Sequence, residues 1–329
     1  MKFLIVQSAF IGDVVLATPI IEKLHRFFPD AEIDLLLRKG NERLLTGHPH
    51  LRKVLIWDKK QRKYKGLFHL ARAIRRERYD WVINCQRFAA SGLLTIFSGA
   101  KNTIGFDKNP FSFAFSRSVA HRFGTTEHPV HEVERNLLLI EHLTDPSFER
   151  PRLYPSEADA AKARSSTGGQ RYVCIAPTSV WFTKQFPAHK WVELIGRIPT
   201  DYRVFLLGGK EDADDCEQIR QASNHPNTQN LAGKLSFLES AALMAGAAMN
   251  YANDSAPVHM ASAVNAPIAA VFCSTVPAFG FAPLSGRSFV VETSAQLSCR
   301  PCGLHGRRSC PLGHFACAEG IGIDRFPAP

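Results

Sequence analysis

The sequence lacks any apolar run near the ~20 residues that a membrane-spanning helix needs, so we predict no transmembrane segment among its 329 residues. The apolar stretch at residues 2–7 is too short for a secretory signal peptide, and Asp13 follows closely. We therefore expect a cytoplasmic protein. The chain also has no low-complexity tract and no short-period repeat, and its 45% hydrophobic and 21% charged residues are typical of a globular fold.

A dinucleotide-binding glycine motif is absent as well. Oxidoreductases and epimerases of similar fold carry G-x-G-x-x-G after a strand, whereas the residues after the first predicted strand read S-A-F-I-G-D (8–13). This difference argues against both enzyme classes.

Acidic residues are few in the first half of the chain. Residues 1–155 contain 25 Lys and Arg against 16 Asp and Glu, a net charge of +9, whereas residues 156–329 contain 15 against 14, a net charge of +1. This asymmetry predicts that the N-terminal half meets an anionic partner. The candidates are nucleic acid, anionic lipid, and a phosphorylated or carboxylated sugar.

Strand and helix signals alternate along both halves. The length exceeds the ~250–300 residues that one hydrophobic core supports, which favours two domains, and the alternation predicts an α/β fold with doubly wound parallel sheets. We predict strands at 2–7, 31–37, 53–57, 80–85, 171–177, 202–209, 249–254 and 266–272, and helices at 12–29, 65–79, 189–198, 211–223, 236–247 and 257–263.

The predicted domains are 1–155 and 156–290, followed by a cysteine-rich tail over 291–329, with a linker and a short helix within 150–169. In open α/β sheets, ligands bind outside the carboxyl ends of the strands. We therefore expect the functional residues to follow strands and to line a cleft between the two domains.

One motif follows the first predicted strand of each half. Asp13 opens a helix, where it is either a first-turn charge that interacts with the helix dipole or a carboxylate that acts as a general base. In A-P-T-S-V-W-F-T-K-Q-F-P (176–187), Thr178, Ser179 and Lys184 offer the hydroxyl, backbone and ammonium donors that suit a diphosphate. The alternative for this second motif is a polar turn with an exposed lysine.

Two further motifs follow later strands of the second half. Glu211 comes after a Gly-Gly turn and could accept hydrogen bonds from ribose hydroxyls. The D-A-D triplet at 212–214 imitates a metal-binding motif, but it falls within a predicted helix, where residues two apart do not face each other. In N-D-S-A-P-V-H-M-A-S-A (253–263), Asp254 and Ser255 open a helix whose first N–H groups suit an anion.

Taken in order, these four motifs resemble those of the heptosyltransferases, the family-9 glycosyltransferases of lipopolysaccharide core assembly. The resemblance extends from residue 3 to about residue 284. It implies a GT-B fold, in which two Rossmann-like domains face each other across a cleft. It also implies a metal-independent, inverting transfer of a heptose or related sugar from ADP-heptose to a lipopolysaccharide core or lipid A-linked acceptor. The alternative is another GT-B sugar transferase of cell-surface polysaccharide synthesis.

The resemblance further implies a role for each matching position. Asp13 would deprotonate the acceptor hydroxyl, Glu211 would hold the ribose, and Asp254 would contact the heptose. The family commonly has glycine at the position of Ala256, and its histidine matches His259, although a lone histidine is more often structural. The full donor-binding set is Thr178, Ser179, Lys184, Glu211, Asp254, Ser255, Ala256 and His259.

The acceptor would carry sugar carboxylates and lipid A phosphates, which arginine recognises in bidentate fashion, and the membrane surface beside it is anionic. We therefore expect basic residues of the first half to bind the acceptor, and the protein to attach peripherally to the inner face of the inner membrane. The basic run over 72–79 is equally consistent with a solvated helix face. The acceptor-binding candidates are Arg38, Lys60, Arg62, Lys63 and Arg87.

Four of the eight cysteines lie within nineteen residues, as C-x2-C-x7-C-x6-C over 299–317. A C-x2-C pair can bind zinc, although the second pair is spaced more loosely than is common. Structural zinc, a reduced thiol cluster and a disulfide formed on isolation all remain open, and we expect no cofactor in catalysis. The metal-ligand candidates are Cys299, Cys302, Cys310 and Cys317.

A basic half with a cysteine cluster also raises the alternative of a nucleic-acid-binding protein, whose affinity would depend strongly on salt. That interpretation leaves the donor-side motifs without a purpose. We therefore expect no nucleic-acid partner.

Overall fold

The computed structural model describes residues 1–59, 63–125 and 127–329, with residues 63–65 described by their backbone alone. The described chain divides into two compact units: Met1–Gly124 with Val130–Tyr154, and Thr125–Pro129 with Pro155–Pro329. We call them the N-terminal and the C-terminal unit. Their division between Tyr154 and Pro155 lies next to the domain boundary predicted from the sequence.

The N-terminal unit is built on a parallel sheet of six described strands in the order β3-β2-β1-β4-β5-β6. Its strands are β1 (Lys2–Val6), β2 (Glu32–Arg38), β3 (Lys53–Trp57), β4 (Trp81–Asn84), β5 (Asn102–Phe106) and β6 (Arg117–Val119). Its helices are α1 (Ile11–Val15), α2 (Thr18–Phe27), α3 (Lys63–Glu77), α4 (Ala89–Ile96) and α5 (Glu132–Leu138).

The C-terminal unit repeats this arrangement, with six described parallel strands in the order β9-β8-β7-β10-β11-β12. Its strands are β7 (Tyr172–Ala176), β8 (Arg203–Leu206), β9 (Thr228–Asn230), β10 (Met249–Asn253), β11 (Ile268–Phe272) and β12 (Ser288–Glu292). Its helices are α6 (Glu157–Thr167), α7 (Ala188–Gly196), α8 (Ala213–Ala222), α9 (Phe237–Ala245), α10 (Ala256–Ala263) and α11 (Ala316–Glu319).

The predicted α/β fold with two doubly wound parallel sheets is confirmed. Strands such as β1 and β11 are apolar and buried on both faces, as expected where helices cover both sides of a sheet. In each sheet the chain reverses its direction of progress between two central strands, β1 and β4 in one and β7 and β10 in the other. Ligands of doubly wound sheets bind at such switch points, so the loops after these four strands are where a site is expected.

The predicted continuous helix over 12–29 is wrong. The chain instead forms α1 and α2, with Pro19 in the first turn of α2. Pro19 has no N–H to donate to the carbonyl oxygen of Val15, and the hydroxyl of Thr18 donates to that oxygen at 2.7 Å. The break leaves α1 as a short element close to the carboxyl end of β1.

Residues 291–329, set apart in the sequence as a tail, contribute to the core of the C-terminal unit. The Phe326 ring lies 5.4 Å from that of Phe186 and 6.1 Å from that of Trp191. The hydroxyl of Tyr251 donates to the carbonyl oxygen of Pro327 at 2.8 Å. In the described part of the chain, no helix combines the length and the apolar character that crossing a bilayer requires.

Candidate active site

A buried asparagine joins the two switch-point loops of the C-terminal unit. Asn253, the last residue of β10, accepts a hydrogen bond from the N–H of Phe186 at 2.8 Å and donates one to the carbonyl oxygen of Pro177 at 2.7 Å. Both partners belong to the segment that follows β7. The segment carrying Thr178, Ser179 and Lys184 is therefore fixed beside the start of α10.

Lys184 and Asp254 form an ion pair across this junction, with 2.7 Å between Lys184 Nζ and Asp254 Oδ2. The lysine side chain is 15% exposed and the aspartate side chain 6% exposed. The hydroxyl of Thr275 also donates to Asp254 Oδ2, at 2.7 Å. An ammonium group carries three donors, so Lys184 can bind an anionic ligand while it remains next to Asp254.

The N-terminus of α10 lies beside this ion pair. Ser255 occupies the N-cap position in an extended conformation, and its hydroxyl donates to the carbonyl oxygen of Asn253 at 3.2 Å. Pro257 occupies the first turn, where the missing N–H is no loss. The first N–H groups of a helix favour anions, and Ser255 and Ala256 are half-buried rather than covered.

Glu211 follows β8, the strand next to β7, and is exposed. It lies in the short 3-10 helix Lys210–Asp212, and α8 begins at the next residue, Ala213. Asp212 caps this turn by accepting a hydrogen bond from the N–H of Gly209 at 2.7 Å. The first carboxylate of the D-A-D triplet therefore accepts a backbone hydrogen bond. The triplet lies at the start of α8, where the helix dipole favours acidic residues.

The remaining donor-side candidates differ in accessibility. Thr178 and Ser179 are half-buried directly after β7, and the carbonyl oxygen of Ser179 accepts a hydrogen bond from the side chain of Gln185 at 2.6 Å. His259 is buried inside α10, with its ring 6.1 Å from that of Phe281. Thr178 and Ser179 are therefore partly accessible, whereas His259 packs within the unit.

Asp13 lies at the carboxyl edge of the other sheet. One carboxylate oxygen accepts a hydrogen bond from the N–H of Phe10 at 3.1 Å, which caps α1. This is the first-turn interaction that the sequence allowed for. Asp13 is half-buried, so its capping bond orients the carboxylate without enclosing it.

Arg38 is the last residue of β2 and Arg87 follows β4, and these two strands flank β1. The Arg38 guanidinium lies over the ring of Phe10, 4.9 Å from its centre, and that of Arg87 lies 5.8 Å from the ring centre of Phe123. Both arginines therefore accompany Asp13 on the same edge of the N-terminal sheet. Of the other acceptor-side candidates, Lys60 and Arg62 lie outside the described residues, as does the side chain of Lys63.

Several charged residues of this edge were missed by the sequence analysis. Glu132 is buried and accepts two hydrogen bonds from the guanidinium of Arg135, at 2.6 and 2.9 Å. Burial raises the pKa of Glu132, and the charge of Asp13 raises it further. Lys59 donates to the carbonyl oxygen of Ser8 at 2.7 Å, within the loop that leads to Asp13. The run H-E-V-E-R (131–135) before an apolar stretch was the available signal.

The four clustered cysteines line one cavity of about 270 Å³, together with Thr183. All are free thiols. Burial raises the pKa of the Cys317 thiol to about 11, and burial also raises that of Cys302. Backbone N–H groups of the loop lower the pKa of the Cys310 thiol. Among the described residues, no three His, Cys, Asp or Glu side chains are grouped as a metal ion would require.

Two six-stranded parallel sheets of the same order, one in each described unit, are the paired Rossmann-like sheets of the GT-B class, and Lys184 and the start of α10 lie at the switch point of the second sheet. The chain belongs to glycosyltransferase family 9 (heptosyltransferase), whose sequence model matches residues 67–311.

Named relatives agree with this assignment. The chain is 31% identical to lipopolysaccharide heptosyltransferase 3 of Escherichia coli over 279 residues, which cover 81% of this chain and 82% of that one. It is 26% identical to lipopolysaccharide heptosyltransferase 1 of Pseudomonas aeruginosa over 316 residues, covering 92% and 86%. The solved structure of E. coli ADP-heptose lps heptosyltransferase II shares the fold, with a TM-score of 0.78, 21% identity, and coverage of 92% and 96%.

Proposed function

We propose that this protein transfers a heptose from ADP-heptose to a lipopolysaccharide-core acceptor, with inversion at the anomeric carbon and without a catalytic metal. The observation that carries the proposal is the Lys184–Asp254 ion pair beside the N-terminus of α10. The names of the relatives support the choice of donor and acceptor.

The donor's diphosphate carries the charge that these groups recognise. Lys184 and the N–H groups at the start of α10 would neutralise it, with hydroxyls of Thr178 or Ser179 as further donors. When the bond between the anomeric carbon and the phosphate oxygen breaks, ADP leaves with the electron pair. Fixed positive charge stabilises that leaving group, so no acid is needed to protonate it.

The sugar and the ribose would meet the two acidic residues of this unit. Asp254 can accept a hydrogen bond from a heptose hydroxyl, because Thr275 and Lys184 already fix its orientation. Glu211 is exposed in the 3-10 helix that follows β8 and can accept hydrogen bonds from ribose hydroxyls. These roles are those expected from the family's motif.

The acceptor would use the N-terminal unit. The hydroxyl oxygen of the acceptor attacks the anomeric carbon while the hydroxyl proton passes to Asp13, which acts as general base. The capping bond from Phe10 orients the Asp13 carboxylate for that transfer. Arg38 and Arg87 would pair with carboxylates or phosphates of the acceptor, and so would Lys60, Arg62 and Lys63 in the role predicted for them.

Titration calorimetry tests the donor. We expect binding of ADP-heptose, weaker binding of ADP-glucose, and no binding of uridine-diphosphate sugars. A preference for uridine donors would overturn the heptosyl proposal, even if transferase activity were found with another sugar.

A structural metal at Cys299, Cys302, Cys310 and Cys317 stays a prediction that the described geometry does not support. Elemental analysis of the reduced, purified protein tests it. One equivalent of zinc that is lost in a Cys299→Ser, Cys302→Ser variant would establish the site. Metal-free protein with full activity would favour the reduced thiol cluster.

A further inference from the structure

An apolar groove with basic residues along it lies between α3 and α4 of the N-terminal unit. Its volume is about 530 Å³, and it is lined by Leu67, Phe68, Leu93 and Phe97 together with Arg72 and Arg75, among others. None of these residues belongs to the donor or acceptor sets described above.

The exposed side chains that line this groove are not part of the hydrophobic core beneath it. Ile74 of α3 and Leu94 of α4 are fully buried and pack with residues of β1 and β4. By contrast, the side chain of Phe68 is 67% exposed and that of Phe97 is 56% exposed. Large exposed apolar patches mark interaction sites. We therefore expect a binding partner to cover these two aromatic residues.

The net charge beside the groove is positive and comes from arginines. Arg76 and Arg78 follow Arg72 and Arg75 along the chain, and the sequence of α4 contains no charged residue. The acid of this stretch, Glu77, accepts hydrogen bonds from Lys2 at 2.8 Å and Arg52 at 2.9 Å. These partners, Lys2 foremost, hold the pKa of Glu77 well below its usual range. The groove is therefore apolar inside and cationic at its border.

We propose that this groove docks onto the surface of an anionic phospholipid bilayer. Phe68 and Phe97 enter the boundary between headgroups and acyl chains, and Arg72 and Arg75 pair with lipid phosphates. The inference rests on the proposed function in one respect: bilayer docking would bring the enzyme to a lipid-linked acceptor, which lies at such a surface.

Charge decides against a second copy of this chain as the occupant. A two-fold contact through the groove would bring the same patch of each copy together, and the two copies of Arg72 and Arg75 would add four positive charges to one contact. Like charges placed opposite each other oppose association. A bilayer rich in phosphatidylglycerol instead supplies both the apolar layer and the negative charge.

Co-sedimentation of the full chain with vesicles tests the proposal. We compare vesicles of equal parts phosphatidylglycerol and phosphatidylcholine with vesicles of phosphatidylcholine alone. The wild type is expected to bind only the first kind. Phe68→Ser with Phe97→Ser should abolish binding, and Arg72→Gln with Arg75→Gln should weaken it about 25-fold, from roughly five-fold for each arginine near an anionic surface.

Matched controls come from the same unit. Phe113→Ser removes an aromatic side chain that is 84% exposed elsewhere, and Arg43→Gln with Arg122→Gln removes two exposed charges away from the groove. Both should bind anionic vesicles as the wild type does, and thermal melting should show all variants folded. Equal losses in controls and groove variants, or unchanged binding in the Phe68, Phe97 variant, would overturn the proposal.

Two further measurements separate this proposal from its rivals. Gel filtration that shows a dimer dissolved by Phe68→Ser with Phe97→Ser would assign the groove to a second copy. Transfer to a water-soluble, delipidated acceptor reports the proposed function alone, and we expect the Phe68, Phe97 variant to retain it. Loss of vesicle binding with retained transfer supports both proposals, whereas vesicle binding by a chain without transfer would contradict only the proposed function.

Discussion

Thr183 and Arg307 exchange two hydrogen bonds. The N–H of Thr183 donates to the carbonyl oxygen of Arg307 at 3.1 Å, and the N–H of Arg307 donates to the Thr183 hydroxyl at 2.7 Å. The same hydroxyl accepts a bond from Ser274 at 3.0 Å. Because Thr183 immediately precedes Lys184, the cysteine-rich segment supports the residue that would hold the donor's diphosphate.

The variant Thr183→Val keeps the shape of this buried side chain and removes its oxygen. The N–H of Arg307 and the hydroxyl of Ser274 then lose their acceptor, which typically costs about 1–3 kcal/mol when the groups are buried. We expect a lower free energy of unfolding and a several-fold weaker ADP-heptose affinity, measured by denaturant titration and calorimetry. Thr228→Val, a change at a buried threonine of β9, serves as control and should leave donor affinity unchanged.

Lys184→Gln tests the ion pair. The variant removes the positive charge proposed to meet the diphosphate and leaves the carboxylate of Asp254 its hydrogen bond from Thr275. We expect the turnover of ADP-heptose to fall by ~10²–10³-fold. Lys234→Gln, which alters an exposed lysine of the same unit, should keep wild-type kinetics, and similar kinetics in the two variants would rule out the assigned role of Lys184.

Asp13→Asn tests the general base. An asparagine oxygen can still accept the N–H of Phe10, so the cap of α1 should survive. We expect unchanged ADP-heptose affinity and a ~10²–10⁴-fold loss of turnover, measured in a coupled assay of ADP release. The control is Glu42→Gln, because Glu42 also accepts a local backbone N–H, that of Gly40, at 2.6 Å. Near-normal turnover in Asp13→Asn would exclude Asp13 as the base.

His121 predicts a pH dependence of stability. Burial lowers its pKa to about 4, with Arg87 and Arg135 adding to the effect, so below an unfolded pKa of ~6.5 the unfolded chain binds the extra proton. The contribution of neutral His121 to the free energy of unfolding is fully present above pH ~6.5. It is lost as the pH falls towards about 4, by at most on the order of 3 kcal/mol.

Replacing that histidine isolates the effect. His121→Phe should reduce the loss of unfolding free energy between pH 6.5 and 4, because a phenylalanine can keep the edge contacts with Phe106 and Phe123. Chemical denaturation at several pH values measures it. His189→Phe, at an exposed position, should follow the wild-type profile, and equal profiles in all three proteins would contradict the assignment to His121.

The donor side could be foreseen from local sequence to a considerable degree. Motifs at the ends of predicted strands singled out Lys184 and Asp254, because parallel strands end on one edge of a sheet. Their ion pair could not be foreseen. It depends on β7 and β10 being neighbours, a topological fact that links residues 70 positions apart in the chain.

The N-terminal unit was harder to predict. Asp13 was left with two interpretations, a first-turn charge and a general base, and its capping bond from the N–H of Phe10 is compatible with both. The Glu132–Arg135 pair lies more than a hundred residues further along and joins that edge only through α5, in a region where the sequence pattern gave no strand or helix. Charged residues that become buried by tertiary packing leave little periodic signal.

The burial of Phe326 among aromatic residues of α7 and β10 has a consequence for engineering. A chimera that exchanges donor specificity between family members would swap one half of the chain. Here a swapped piece that stops near residue 290 would leave Trp191 and Tyr251 facing solvent where the incoming chain end does not match. Functional chimeras should therefore carry the last segment together with the α7 and β10 residues that enclose it.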